Sequence, residues 1–199
     1  MFTSINKFEE TIARWYGAPY AVATDSCTHA IELCFRLHNV RATTCPAHTY
    51  LSVPMTMKKL NMDWAWTDQE WIDWYQFGNT DIIDAAVLWN PNSYMSGKMM
   101  CLSFQYKKHL SLGRGGMILL NDLSARNELI KMSHDGRNRE QPWAEQDVTT
   151  VGYHYYMTPE TAELGLAKFE QARTTTPTRW SYRNYPDLRN IGLFKNVRY

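Results

Sequence analysis

With 199 residues and 44% hydrophobic content, the chain is long enough for one ordinary globular domain with a real core, or one domain plus a small extension. A formal net charge of +1 gives no reason to expect a nucleic acid polymer or a membrane surface as the main partner. Cys27, Cys34, Cys45 and Cys101 lack C-x-x-C spacing, which suggests neither a disulfide framework nor a metal site. The polar start MFTSINKFEE and the absence of a long apolar run argue against a signal peptide or membrane span, so a reducing cytoplasm fits.

Phe8, Ile12, Trp15 and Tyr16 recur at helical spacing and predict an amphipathic helix over about 7–16, stopped by Gly17 and followed by Pro19. YAVAT at 20–24 is short, apolar and partly β-branched, and predicts a buried strand. Asp25, Ser26, Cys27 and Thr28 then supply cap residues for a second helix, 29 to about 38. The start of that helix offers unpaired N–H groups and a partial positive charge, which suits a phosphate, although an isolated S-x-T is more often an ordinary cap. Pro46 and the alternation after it predict a strand end feeding a loop and a short helix. DWAWT at 63–67 predicts another strand, and the tryptophan-rich 69–77 a short helix without a motif. Residues 82–84 predict a central strand ending in Asp84, and 100–104 and 115–120 two more strands. A helix is expected over 122–133, an exposed loop over 138–147, and a last helix opening at Thr158-Pro159-Glu160.

The ends of these strands carry the chemistry. An acid such as Asp84 can keep the ring nitrogen of a pyridinium cofactor protonated, and a lysine beyond the next strand can form a Schiff base with that cofactor's aldehyde. Strand ends of this kind converge on one sheet edge, where ligand sites in open α/β sheets form. On chemistry alone either Lys107 or Lys108 serves, and the stretch taken in isolation reads as often as two strands with a solvated basic loop.

Ser103-Phe104 followed by Lys108 and then Gly113-Arg114-Gly115-Gly116 (S-F-x-x-x-K, G-x-G-G) resembles the cofactor-lysine segment of the DegT-type sugar aminotransferases, which are fold-type I pyridoxal-phosphate enzymes. The resemblance implies that Lys108 is the Schiff-base lysine, that Ser103 stands beside it, and that Asp84 is the pyridinium acid. GAPYAVATDSCTHAIEL resembles the family's strand–Ser-Gly-Thr phosphate cup, with Cys27 in the glycine position, and implies phosphate binding by Ser26, Cys27 and Thr28. Pro46, Thr49, Tyr50 and Ser52 match P-x-x-T-aromatic-x-[ST], which implies that Tyr50 stacks on the cofactor ring. The family follows D-A-A with His or Gln, where this chain has Val87, which cannot donate a hydrogen bond. Residues 152–169 resemble a further family segment that reaches the neighbouring subunit. His154 occupies its phosphate-contacting Asn position, and an imidazole can donate to phosphate. Family dehydratases replace the lysine by histidine, so the presence of Lys108 favours transamination.

The resemblance covers roughly residues 6–170. It implies the three-layer α/β/α large domain of fold-type I aminotransferases, with a mostly parallel central sheet, over 1–170. Residues 171–199 are expected to form a C-terminal extension, a remnant of or substitute for the family's small domain. The implied activity moves an amino group from an amino acid, glutamate in the first instance, to a keto-sugar nucleotide, using pyridoxal 5'-phosphate in a homodimer with a shared active site. Loss of the small domain, Val87 and His154 motivate the alternatives: a catalytically silent relative acting as a ligand-binding or partner module, or one chain of a split aminotransferase.

Overall fold

The computed structural model describes residues 2–197, so Met1 and the last two residues of the expected extension lie outside the described residues. Helix α1 spans Thr3–Tyr16 and buries Ile5, Phe8, Ile12 and Tyr16, one stripe at helical spacing. Gly17 ends it in the left-handed region at φ 75°, its N–H directed to the carbonyls of Ala13 and Arg14. Strands β1 (Tyr20–Thr24) and β3 (Asp63–Thr67) fall where the sequence predicts them. Helix α2 (Cys27–Leu37) starts two residues earlier than expected, because Ser26 is its N-cap and accepts from the His29 N–H. Strand β2 (Ala42–Pro46) leads into α3 (Ser52–Lys59). Strands β4 (Tyr75–Gln76), β5 (Ile82–Asp84), β6 (Met99–Ser103) and β7 (Gly116–Leu120) follow, then α4 (Leu123–Ser133) and α5 (Pro159–Thr174).

The main sheet runs β1-β7-β6-β5-β4, and β2 and β3 form a separate parallel pair. The α/β layering is as expected, with helices on both faces, but the expected mostly parallel pairing is corrected. β1–β7, β6–β7 and β4–β5 are antiparallel, and within the main sheet β5–β6 alone is parallel. The cause lies in the connections. The link from β4 to β5 is too short for a crossover and makes a hairpin, and the segment between β6 and β7 contains no helix to carry the chain back across the sheet. The expected helix over 69–77 is also corrected. Trp71, Tyr75 and Phe77 are buried while Ile72 and Trp74 are exposed, a period close to two, and β4 forms there instead.

Alternation within the strands divides the core. Ile118 and Leu120 of β7 join Val22, Ile82, Cys101 and helix α2 on one face. Met117 and Leu119 join Ala21, Ala23, Ile83, Met100 and helices α1 and α5 on the other. All five residues of β7 are buried, the signature of a central strand covered on both sides. Helix α5 continues through the expected boundary at residue 170 to Thr174. Beyond it the chain forms three short 3-10 turns, Tyr182–Asn184, Leu188–Asn190 and Gly192–Phe194, and packs back on the domain through Leu188 and Phe194. Among the described residues no helix is long and apolar enough to cross a membrane.

Candidate active site

Sheet register gathers the functional positions. Thr24 at the end of β1, Gly116 at the start of β7 and Ser103 at the end of β6 lie in one row, and Asp84 closes β5 beside Cys101. A cavity of about 180 Å³ opens at this edge, and Ser26, Cys27, Thr28, Tyr50, Asp84, Ser103 and Lys108 all line it. Seven of the eight residues singled out from the sequence therefore meet in one place. The eighth, His154, is absent from that lining. Its side chain is 71% exposed, with Nδ1 3.1 Å from an Asp135 carboxylate oxygen, on a segment bridged to His134.

At one side of the cavity lies the start of α2, whose first-turn N–H groups have no intrahelical partners. Thr28 Oγ1 and Ser52 Oγ are hydrogen-bonded at 2.7 Å, so α3 holds one hydroxyl of the cup. The β7 backbone approaches closely: a Cβ on Gly116 would lie 2.4 Å from both Cys27 N and Ser26 C, so only glycine fits there. Arg114, which also lines the cavity, donates from Nη2 to Asp25 Oδ2 at 2.6 Å.

On the sheet side, Asp84 is 6% exposed. Its Oδ2 accepts from the Tyr75 hydroxyl at 2.7 Å and its Oδ1 from the Ala86 N–H at 2.9 Å. Burial pushes its carboxyl above the usual range, and the Tyr75 and Ala86 donors and the charge of Lys108 pull it back. Lys108 shows the complementary behaviour. Burial holds its ammonium below the ordinary lysine range against the attraction of Asp84, and neighbouring Lys107 pushes in the same direction as burial. Lys108 Nζ lies 5.4 Å from the centre of the Trp180 ring. The cavity thus carries a buried acid, a lysine eased toward its neutral form and a helix start with two hydroxyls, a donor set that fits an aldehyde-bearing pyridine phosphate. Tyr50 is 56% exposed at the mouth, and Val87 lines the wall where no side-chain donor is supplied.

Several lining residues escaped sequence reasoning. Trp71 and Tyr75 come from the stretch expected to be helical, and the alternation Tyr75-Gln76-Phe77 was the signal available there. Tyr185 comes from the tail, and nothing in its sequence indicates that it returns. It does so because Tyr182 N donates to Trp71 O at 3.1 Å, Leu188 N to Ala47 O at 3.0 Å, and Asp73 N to Trp180 O at 2.9 Å. The His48 ring lies 2.8 Å from the Tyr185 carbonyl through Nδ1.

Residues 2–74 and 94–185 match the profile of the DegT/DnrJ/EryC1/StrS aminotransferase family, which leaves Asp84 in the unmatched stretch between them. No curated protein matches the sequence. Among solved structures the chain is similar to AtS13 from Actinomadura melliaura, with 20% identity and a TM-score of 0.75 over 85% of this chain and 60% of that one. It is also similar to the PLP form of Spr1654 from Streptococcus pneumoniae (16% identity, TM-score 0.71, 86% of this chain and 60% of that one). A third is the sugar aminotransferase CalS13 from Micromonospora echinospora (12%, 0.70, 86% and 61%). These likenesses establish the fold, and the chain spans about three fifths of the length of the structures it matches.

Proposed function

We propose, since this chain belongs to the DegT/DnrJ/EryC1/StrS aminotransferase family, that it is a pyridoxal-phosphate aminotransferase moving an amino group from an amino acid, glutamate in the first instance, to a keto-sugar nucleotide. The observation that carries this reading is the joint lining of one cavity by Asp84 and Lys108, each pushed by burial toward its neutral form. A scaffold has little use for both. Pyridoxal phosphate, when bound, supplies the electron-withdrawing ring and aldehyde that accept an amino group from one substrate and hand it to the next.

The protein's own residues divide the remaining work. Ser26, Cys27 and Thr28 hold the phosphate at the α2 start, where main-chain N–H groups and the helix dipole favour a dianion. Asp84 keeps a proton on the ring nitrogen, Tyr50 lies against the ring, and Ser103 bounds the lysine side. Lys108 holds the cofactor between turnovers and, once released, takes and returns the proton at the substrate carbon as general base and acid. Its lowered proton affinity suits both tasks. His154 acts on the phosphate of a neighbouring copy, which makes the working unit a homodimer, and the free thiols of Cys27, Cys34, Cys45 and Cys101 suit a reducing cytoplasm. Residues 1–170 form the cofactor-binding large domain, and residues 171–199 are a C-terminal extension to it, a remnant of or substitute for the small domain.

A second reading, a silent relative or one chain of a split enzyme, is favoured by Val87 at the cavity wall, where no side-chain donor is supplied. One experiment tests the cofactor attachment on which the enzyme reading depends. The purified chain is incubated with pyridoxal phosphate, reduced with borohydride, digested and weighed peptide by peptide. A single phosphopyridoxyl group on Lys108, absent from Lys108→Ala, is expected. No adduct at saturating cofactor overturns the enzyme reading.

A further inference from the structure

Strand β4 places Tyr75 in the inner wall of the cavity. Thr49, Tyr75 and Asp84 all line it and are only 2%, 2% and 6% exposed, so little of any of them meets water. The Tyr75 hydroxyl donates to Asp84 Oδ2 at 2.7 Å and is hydrogen-bonded to Thr49 Oγ1. A phenol has one proton, and Tyr75 commits it to the carboxylate. Thr49 must then donate to the Tyr75 oxygen, which fixes a one-way chain from Thr49 through Tyr75 to Asp84. Tyr75 and Asp84 both lie in the stretch between the two segments that match the family profile.

We propose that Tyr75 is the positioning residue for the Asp84 carboxylate, with Thr49 setting the direction of the Tyr75 proton, so that the three act as one unit on the cofactor's ring nitrogen. This rests on the function proposed above. A carboxylate in so dry a place sheds its charge unless donors hold it, and the two donors found are Tyr75 and the Ala86 N–H. The other groups facing Asp84 are Lys108 from the loop after β6, the thiols of Cys27, Cys45 and Cys101, and Tyr185 from the tail. Burial pushes those thiols and both phenols up, so they stay neutral. Tyr75 remains a donor, and Lys108 is the one cation in the set.

The test follows the Asp84 carboxyl by carbon-13 NMR through a pH titration of the cofactor-free protein, in the native sequence, in Tyr75→Phe and in Thr49→Val. Loss of a hydrogen bond to a charged group predicts that the Asp84 midpoint rises by about one pH unit or more in Tyr75→Phe. A smaller rise is expected in Thr49→Val, where Tyr75 keeps its contact but loses its polarising donor. Cofactor affinity, read from the visible band, should fall roughly ten-fold in Tyr75→Phe. An unchanged midpoint in both variants overturns the proposal and leaves Tyr75 as packing. If Tyr75→Phe fails to fold, Thr49→Val decides alone. If the native protein takes up no cofactor, the proposed function falls, and the carboxyl titration still decides the relay.

Discussion

Replacing Gly116 by alanine tests whether the closeness of β7 to the α2 start holds the site together. The added methyl would sit 2.4 Å from Cys27 N, 2.4 Å from Ser26 C and 2.6 Å from Ser26 O. All three are backbone atoms, so no rotamer change relieves the overlap. Restoring ordinary contact requires the two segments to part by about 1 Å. β7 cannot simply yield, because Gly116 is paired with Thr24 on one side and Ser103 on the other. The cost therefore falls at the upper end of overpacking, ~3 kcal/mol, a large share of a typical domain's stability. The displacement also pushes Ser26 and Cys27 off their positions, so cofactor binding weakens more than ten-fold. Urea unfolding gives the stability change, and titration with pyridoxal phosphate the affinity. Two other glycines calibrate the result. Gly113 has φ +82° with nothing within 4 Å of a built Cβ, so Gly113→Ala costs ~1 kcal/mol in backbone strain alone. Gly192 has neither a positive φ nor a neighbour within 4 Å, and Gly192→Ala should change stability by no more than ~1 kcal/mol. A Gly116→Ala protein as stable as Gly192→Ala, with native affinity, would refute the reasoning.

Arg139 and Glu9 form an ion pair with side chains 5% and 4% exposed, and Glu9 also accepts from the Ala23 N–H at 2.7 Å. Arg139→Ala strands a buried carboxylate and should cost ~3 kcal/mol in urea unfolding, with much of that recovered when Glu9→Gln is added. Burial, reinforced by Arg137, holds the His134 imidazole below its ordinary 6.5. Above that pH both folded and unfolded chains are neutral there. As pH falls through it the unfolded chain takes the proton first and stability drops, so His134→Gln should flatten the acid side of a stability profile measured below pH 6.5. Asp84 runs the other way: its folded carboxyl sits above the ordinary 3.8, so its ionised form at pH 7 costs stability. Asp84→Asn should raise the unfolding midpoint of the cofactor-free protein at pH 7 and abolish cofactor binding, a trade of stability against function seen by running both assays on one sample.

Local signals in the sequence were strong enough to place β1 and β3 to the residue, and the family resemblance picked out the seven distant side chains that share one cavity. Each of those side chains ends or follows a short strand or stands at the start of a helix, so its position depends on neighbours within a few residues. Pairing direction was less legible. A strand of apolar residues such as Met99–Ser103 reads the same whether its partner runs with it or against it, and only the connection decides. The stretch 71–77 misled because tryptophan and tyrosine suit a helix face and a strand face alike. The contact between Tyr75 and Asp84 spans a hairpin that the sequence did not predict. The return of the tail was invisible for a different reason. It rests on main-chain hydrogen bonds to Trp71, Asp73 and Ala47, and backbone groups are common to every residue.

That return couples two clocks. Residues 180–188 are tied to irregular segments rather than to the main sheet, and segments held this way detach at a fraction of the free energy of global unfolding. Tyr185 forms part of the cavity wall, and Trp180 covers the Lys108 ammonium. The detachment that frees the Tyr182 and Leu188 amides to trade hydrogen for deuterium also takes Tyr185 out of that wall and Trp180 away from Lys108. Local opening of residues 180–188 then becomes a second influence, beside the groups in direct contact, on how long a molecule stays in the cavity. Substitutions at His48 or Arg189, neither of which lines the cavity, can lengthen or shorten that dwell without altering a single contact inside.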